Sequence, residues 1–379
     1  MSQPRALLVG GSGPTGPHVA AGLAERGYAV TLLHRGTHEL PELDAYEHIH
    51  ADPHFRESLD EALAGRSYDV VVAAYGRLRV VADAVAGHCG SLVAVSGLPA
   101  YAGYHEPGRL APQGMPVQAR EDAADVGRAT RPEDIATEGG GEAFSRKIRA
   151  AEQHVLDLHQ HAAFSASIFR YPSIYGPRQV YPREWSVARR VLDGRDRIIL
   201  ADNGLTVTMR CAAVNAAAYL LAAVDRPDAA AGEIFNIGDR DQFSMRQWVE
   251  ICAAAAGGAL HPVSLPFDLA GPGRGLYPLS HDDHLLVDVH KAADLLGYVE
   301  PKPAVVALTE TVRWYVEHPP VEGAADALAD RFDYPEEDRV VEAYRRATAA
   351  LRAEQPPATR VVHPYAHPTV AGQRDHRDR

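Results

Sequence analysis

Cysteine is scarce in this 379-residue chain: Cys89, Cys211 and Cys252 are the only three, an odd number at wide spacing. That excludes a disulfide framework and any CxxC metal or redox motif, and it fits a reducing compartment. Lysine is as rare, with Lys147, Lys291 and Lys302 alone among 38 basic residues. Acidic residues number 50 and the net charge is −12, so the overall field does not favour nucleic acid or an anionic membrane surface. No run of eighteen apolar residues exists that could span a membrane as a helix. Met1-Ser2-Gln3-Pro4-Arg5 runs directly into a strand-like segment without a secretory h-region. The expectation is a cytoplasmic protein whose partner is a small molecule, with no nucleic acid and no membrane. Hydrophobic residues at 46% and charged residues at 23% describe a folded globular chain long enough for two or three compact units.

What is present begins with an apolar run, Arg5 to Gly10, then Gly11-Ser12-Gly13-Pro14-Thr15-Gly16, then a helical pattern from Pro14 to Arg26 that Gly27 stops. A second β-rich run, Tyr28 to Leu33, completes a βαβ unit of about thirty residues. The alternation continues with a helix over 59–63, strand Asp69 to Ala74, helix Leu78 to Ala86 and strand Ser91 to Ser96. These elements predict an α/β fold of the Rossmann type, a doubly wound parallel sheet with a smaller C-terminal substrate domain. From Ala100 to Glu142 periodicity gives way to Pro, Gly, Asp and Arg, which reads as a long loop. Helix Phe144 to His161 and strand Phe164 to Phe169 follow, and Glu233 to Ile237 reads as a strand returned to the sheet. The expected divisions are 1–175 for a nucleotide-binding domain, 176–320 for a substrate domain, and 321–379 for a tail with one helix, Glu336 to Arg352.

Glycines 11, 13 and 16 satisfy G-x-G-x-x-G, and Gly10, Gly13 and Gly16 satisfy G-x-x-G-x-x-G. After a strand and before a helix, either spacing lets the backbone approach a pyrophosphate on the positive helix end, so a dinucleotide site is expected. A carboxylate at the end of the second strand would bind a ribose 2′-hydroxyl, but the chain offers His34-Arg35-Gly36. Arg35 therefore favours the 2′-phosphorylated cofactor, NADP, with NAD as the alternative. Asp52 stands where a carboxylate can contact adenine, and equally where a turn residue precedes Pro53.

With the glycine turn, Ala73-Ala74-Tyr75-Gly76, Ser96, Tyr101, Ser145-Arg146-Lys147, Arg170-Tyr-Pro-Ser-Ile-Tyr-Gly-Pro177 and Asn236-Ile237-Gly238 in order, the chain resembles the extended short-chain dehydrogenase/reductases, the NAD-dependent epimerase/dehydratase group. The resemblance covers roughly residues 6–315 and implies a small closing C-terminal domain and often a homodimer. It implies cofactor contacts at Gly10, Gly13, Thr15, Gly16, Ala73, Ala74, Tyr75, Lys147, Tyr171 and Ser173, beside Arg35 and Asp52. In that family a Tyr and a Lys four residues on share a helix face, the Lys holding the nicotinamide ribose and the Tyr exchanging the proton at the substrate oxygen. Lys147 matches, but the position four before it is Ala143, and Gly97 falls where the family's catalytic hydroxyl usually stands. Lys147, Ser96 and Tyr101 are the catalytic candidates. Tyr104, Tyr75, His105 or the long loop could supply the missing acid, unless the reaction needs no protein proton there.

The densest set of possible metal ligands, His281-Asp282-Asp283-His284, reads as a polar loop, and His48, His50 and His54 read as solvent-facing, so no metal site is expected. Arg210 does not fall at the spacing of a diphosphate-binding arginine. Three functions follow in order: an NAD(P)(H)-dependent oxidoreductase moving hydride to or from a small organic substrate, a nucleotide-sugar epimerase or dehydratase, and a cofactor-binding sensor or scaffold without chemistry.

Overall fold

A computed structural model describes residues 3–126, 140–320, 330–356 and 368–374. Strands β1 (Arg5–Val9), β2 (Ala29–His34), β3 (Glu47–His50), β4 (Tyr68–Ala73), β5 (Cys89–Gly97) and β6 (Ser165–Tyr171) form one parallel sheet, joined at its edge by β10 (Glu233–Asn236). The order is β10-β6-β5-β4-β1-β2-β3, so the chain reverses direction across the sheet between β1 and β4. In doubly wound sheets the crevice at such a reversal is where ligands bind. This is the expected Rossmann-type α/β fold.

Burial on both faces explains why the strands read as continuous apolar runs. Leu8, Leu32, Val70, Val72, Val93, Phe169 and Phe235 face α1 (Gly16–Glu25) and α6 (Ala213–Asp225). Leu7, Val9, Leu33, Val71, Leu92, Ala94 and Ile168 face α2 (Arg56–Leu63), α3 (Leu78–Val85) and α4 (Gly141–Gln160). Helices α1 and α6 approach so closely that a Cβ on Gly22 would lie 2.2 Å from Leu221 Cδ1. The second half of the chain thus supplies both an edge strand and a covering helix to the nucleotide-binding layer, crossing the 175/176 division drawn from sequence.

Between these returns stand α5 (Arg183–Leu192) and two small parallel pairs. Strand β8 (Arg197–Ala201) pairs with β11 (His261–Leu265), and β7 (Ser173–Tyr175) pairs with β9 (Arg210–Ala212). Helix α7 (Met245–Ala255) starts in a capping box between Ser244 and Gln247, and α8 (His290–Leu296) and α9 (Ala304–Glu317) complete the region. The stretch expected as a loop is irregular where described, with one 3₁₀ turn at Pro107–Arg109, and α4 begins at Gly141. It is tied down: Tyr101, Met115 and Ala119 pack with Leu285 and Val287, and Ala119 N–H donates to Leu286 O at 3.2 Å. Residues 127–139 of the expected loop and 321–329, 357–367 and 375–379 of the expected tail lie outside the described residues. The chain divides into compact units at 1–333 and 334–379, the second holding α10 (Tyr334–Ala353).

Leu8 is fully buried at the sheet's centre. Leu8→Ala should therefore cost about 2–5 kcal/mol in urea unfolding, and a loss below about 1 kcal/mol would mean that the sheet centre is not the main core.

Candidate active site

At the tip of β1 the sheet opens. Val9 is in register with Leu33 on one side and Ala73 on the other, Gly10 N–H donates to Leu33 O at 2.8 Å, and Ala74 N–H donates to Val9 O at 3.0 Å. The chain then turns with Gly10 and Gly11 both at φ +110°, a region closed to most side chains. A Cβ on Gly16 would lie 1.9 Å from Gly11 O, so the third glycine of the motif is required by the turn itself. Gly13 differs: nothing lies within 4 Å of where its Cβ would be, leaving that face of the turn open. Buried Thr15 stands at the N-cap position of α1 without a side-chain capping hydrogen bond, and the first turn carries no acidic residue to neutralise its positive end. The open face, the left-handed glycines and the free helix end together fit a pyrophosphate. Tyr171, its hydroxyl buried and its pKa raised by burial, lies beside Thr15.

The second strand's end supplies the next group. Arg35 is exposed, with its guanidinium 5.7 Å from the ring centre of half-exposed Tyr75, and the Tyr75 Cβ lies 3.0 Å from where a Gly10 Cβ would be. The His54 ring meets Tyr75 edge-on at 5.2 Å. Asp52 accepts hydrogen bonds from the His54 backbone N–H at 3.0 Å and from its imidazole at 2.7 Å, which lower the carboxyl pKa. Arg35 and Asp52 thus both stand next to Tyr75, Asp52 through His54. Ala73 is buried in the sheet, and Ala74 packs on the α1 side of the core. His54 and His48 are part-buried and hydrogen-bonded, unlike the solvent-facing residues read from sequence, whereas His50 is exposed.

The catalytic candidates divide. Lys147 on α4 is exposed, its ammonium donating to no other described residue, and Ala143 one turn earlier is buried. Ser96 and Tyr101 point instead into a buried polar chain. Ser96 Oγ donates to Glu152 Oε1 at 2.6 Å, and Arg170 grips both oxygens of the same carboxylate at 2.9 and 2.8 Å. The Arg170 guanidinium lies 4.5 Å from the centre of the Tyr101 ring, and Tyr101 OH donates to Asn236 Oδ1 at 2.8 Å. Burial raises the Tyr101 pKa. Neither hydroxyl is left free to meet a substrate oxygen, so their visible work is to fix β5, β6, α4 and β10 against one another. Glu152 was not singled out from sequence, and Arg170 and Asn236 entered only as landmarks of the resemblance, without a role; the i, i+5 step from Lys147 to Glu152 carries no local signal of a partner on β6.

A narrow cleft with room for little more than a water molecule adjoins the β7–β9 pair, lined by Ser173, Tyr175, Tyr181, Arg183, Glu184, Arg210 and Pro278. Burial lowers the pKa of Arg183 and brings that of Arg210 down to about 10, while raising that of Glu184. Arg183 Nε is buried without a hydrogen-bond partner among the described residues. Arg210 is engaged within the fold, its Nη1 donating to Thr208 O at 3.2 Å and its guanidinium lying 4.8 Å from the centre of the Trp248 ring. His105 stands beside the start of α4, close enough that a Cβ on Gly141 would lie 2.6 Å from its ring, and its Nε2 is also buried and unpartnered. The His281–His284 segment is spent locally: His281 Nε2 faces Tyr104 O at 2.8 Å and Val207 N–H donates to His284 Nδ1 at 3.1 Å.

Residues 127–238 match the family described as the NAD dependent epimerase/dehydratase family. A 3-diazoavenalumate denitrifying reductase from a Streptomyces species is 28% identical over 280 residues, 70% of this chain and 86% of that protein. Among solved structures, UDP-glucose 4-epimerase from Thermotoga maritima with UDP-glucose superposes with a TM-score of 0.63 at 16% identity, covering 83% of this chain and 99% of that one. The dTDP-glucose 4,6-dehydratase of Bacillus anthracis, in complex with NAD, gives 0.61 at 16% identity, covering 83% and 97%. At this identity the solved structures show that the fold is shared, the Rossmann-type α/β architecture described above.

Two substitutions test this geometry. Gly13→Ala, with open space at its Cβ, should leave the melting temperature unchanged and weaken nicotinamide dinucleotide binding at least tenfold; unchanged binding in a fluorescence titration would mean that no pyrophosphate sits there. Glu152→Ala strands the buried Arg170 charge and should cost about 3–5 kcal/mol of stability, with Arg170→Met in the same chain restoring part of it. A loss of similar size in Ser96→Ala alone would shift that role to the serine.

Proposed function

Starting from a chain that carries an NAD-dependent epimerase/dehydratase family domain on the extended short-chain dehydrogenase/reductase fold, we propose that it is an NADPH-dependent reductase which removes nitrogen from an aromatic diazo acid. The observation that carries the reading is a reaction centre without the family's hydroxyls: Ala143 and Gly97 occupy the two positions, and Ser96 and Tyr101 are bonded inward. Carbonyl reduction asks for a proton at oxygen as hydride reaches carbon. A diazonium carbon does not. It gains a C–H bond from the hydride, its C–N bond breaks, and the bonding pair leaves with dinitrogen, so Ar–N₂⁺ and NADPH become Ar–H, N₂ and NADP⁺ with charge and atoms balanced. The similar Streptomyces protein is named for denitrifying reduction of a diazo compound, which supports this acceptor.

Bound nicotinamide supplies the hydride. The chain's own residues hold and aim. Gly10, Gly11 and Gly13 with the start of α1 would take the pyrophosphate, Arg35 the 2′-phosphate, and Lys147 the nicotinamide ribose. Arg183, at the cleft it shares with Arg210, would face the substrate's carboxylate once the cleft widens to admit it. Without a free acid at position 143, protonation of a competing carbonyl is not assisted, which biases the site toward acceptors that carry their own leaving group. A second reading, a nucleotide-sugar epimerase or dehydratase using NAD, draws on the same arginine, which would equally face a diphosphate.

The deciding experiment supplies an aryl diazonium carboxylate and NADPH deuterated at C4. We expect dinitrogen release above the enzyme-free rate and one deuterium on the ring carbon that carried nitrogen. Retention of nitrogen in the product, or turnover only with UDP- or dTDP-sugars, would overturn the reading. Lys147→Ala should lower kcat/KM at least tenfold, and Arg35→Ala should weaken NADPH about tenfold while leaving NADH unchanged. Ala143→Tyr should not accelerate denitrification; a tenfold gain would mean that a protein acid is needed after all.

A further inference from the structure

At the outer edge of the sheet, where β2 ends beside β3, three imidazoles and a carboxylate converge. His34 is in register with His50, and Leu32 with His48. Side chains two apart on a strand share a face, so the three histidines project from the same side of this strand pair. Glu39 joins them from the loop that follows β2. One donor atom from each of His34, Glu39, His48 and His50 lies within 4.8 Å of the other three, and no other such group of His, Cys and carboxylates occurs among the described residues.

We infer that His34, Glu39, His48 and His50 form a zinc site. The donor chemistry is that of a borderline metal ion, imidazole nitrogens with one carboxylate oxygen, and four ligands close a tetrahedron. The spacing is near what such an ion needs: His34 Nε2 and His48 Nδ1 are 2.7 Å apart and His50 Nε2 and Glu39 Oε1 3.0 Å, against about 3.3 Å between ligands at tetrahedral zinc. His48 is already oriented as a ligand, since its Nε2–H points at Leu43 O at 2.9 Å and leaves Nδ1 as a lone pair facing the cluster. His34 now accepts from Gly36 N–H at Nδ1, 3.0 Å away, and so carries its proton on Nε2. To ligate, it moves that proton to Nδ1, and Gly36 N–H, in a half-exposed turn at φ +71°, turns to water.

The sign of the charge favours a cation over the alternative occupant, a phosphate. An anion here would meet the Glu39 carboxylate, 3.0 Å from His50 Nε2. Entry is open, because His50 and Glu39 are each about half exposed, at 56% and 52% of their side chains. The ion would clamp the 35–46 connection to the two strands it joins, a structural role that does not rest on the proposed reaction.

The test uses the full chain without a polyhistidine tag, stripped with chelator and titrated with Zn²⁺ alone, with no nicotinamide present. Calorimetry should give one zinc per chain at this site, accompanied by a rise in melting temperature. Glu39→Gln and His48→Ala should each weaken zinc at least tenfold and abolish the rise, whereas His261→Ala, an exposed histidine on β11, should change neither. Glu39 is exposed, so its variant folds and keeps the test decisive if His48→Ala does not. Absence of a zinc-dependent rise, or a rise that survives both substitutions, overturns the site. NADPH titration of the zinc-free chain, run alongside, reads the cofactor site separately.

Discussion

One buried ion pair governs the geometry of the reaction centre. Glu152 and Arg170 are almost wholly excluded from water, and a carboxylate and a guanidinium can share such a place only when each answers the other. The pair ties α4 to β6, draws Ser96 of β5 onto the same carboxylate, and stacks Tyr101 beneath the guanidinium. Through Tyr101 it reaches Asn236, which accepts that hydroxyl and in turn donates to the carbonyls of Ala119 and Asp288. A single electrostatic requirement thus fixes the helix that carries Lys147, the edge strand returned from the second half of the chain, and the irregular segment lying over them.

That network also accounts for the chemistry left to the site. Hydroxyls that satisfy buried charges are unavailable for proton transfer, and the positions from which a family member would present free ones are Gly97 and Ala143. What remains at the surface of α4 is a lysine and an apolar step. Burial lowers the pKa of Arg183 and Arg210, and Arg210 is held by the Thr208 carbonyl and the Trp248 ring. On the proposed function, such a centre would hold and orient its substrate more than donate protons to it.

Much of the nucleotide-binding half was legible because its signals are local. Gly16 must be glycine since the turn brings Gly11 O against it, and the strands are apolar throughout since both faces are covered. Arg35, Asp52 and Tyr75 could be placed from strand ends alone. The small pairs β7–β9 and β8–β11 escaped notice, because strands of three to five residues with distant partners leave no period to read. Ser96 and Tyr101 looked like catalytic hydroxyls for the same reason: a side chain's identity is local, but its hydrogen-bond partner lies 56 residues away in one case and 135 in the other.

The histidines of the second and third strands mark the boundary between the two kinds of information. The alternation of His48 and His50 already says that both lie on one face if the segment is a strand, and His34 already stands at a strand end. Nothing in the sequence says that the two strands pair in a register that sets His34 beside His50, or that Glu39 folds back to meet them. By itself the sequence determined the βαβ alternation and the glycine turn, since steric limits and periodicity act within a few residues. Only the tertiary structure decided which hydroxyls are spent and which donors converge, because those outcomes depend on the low-dielectric packing of segments far apart in the chain.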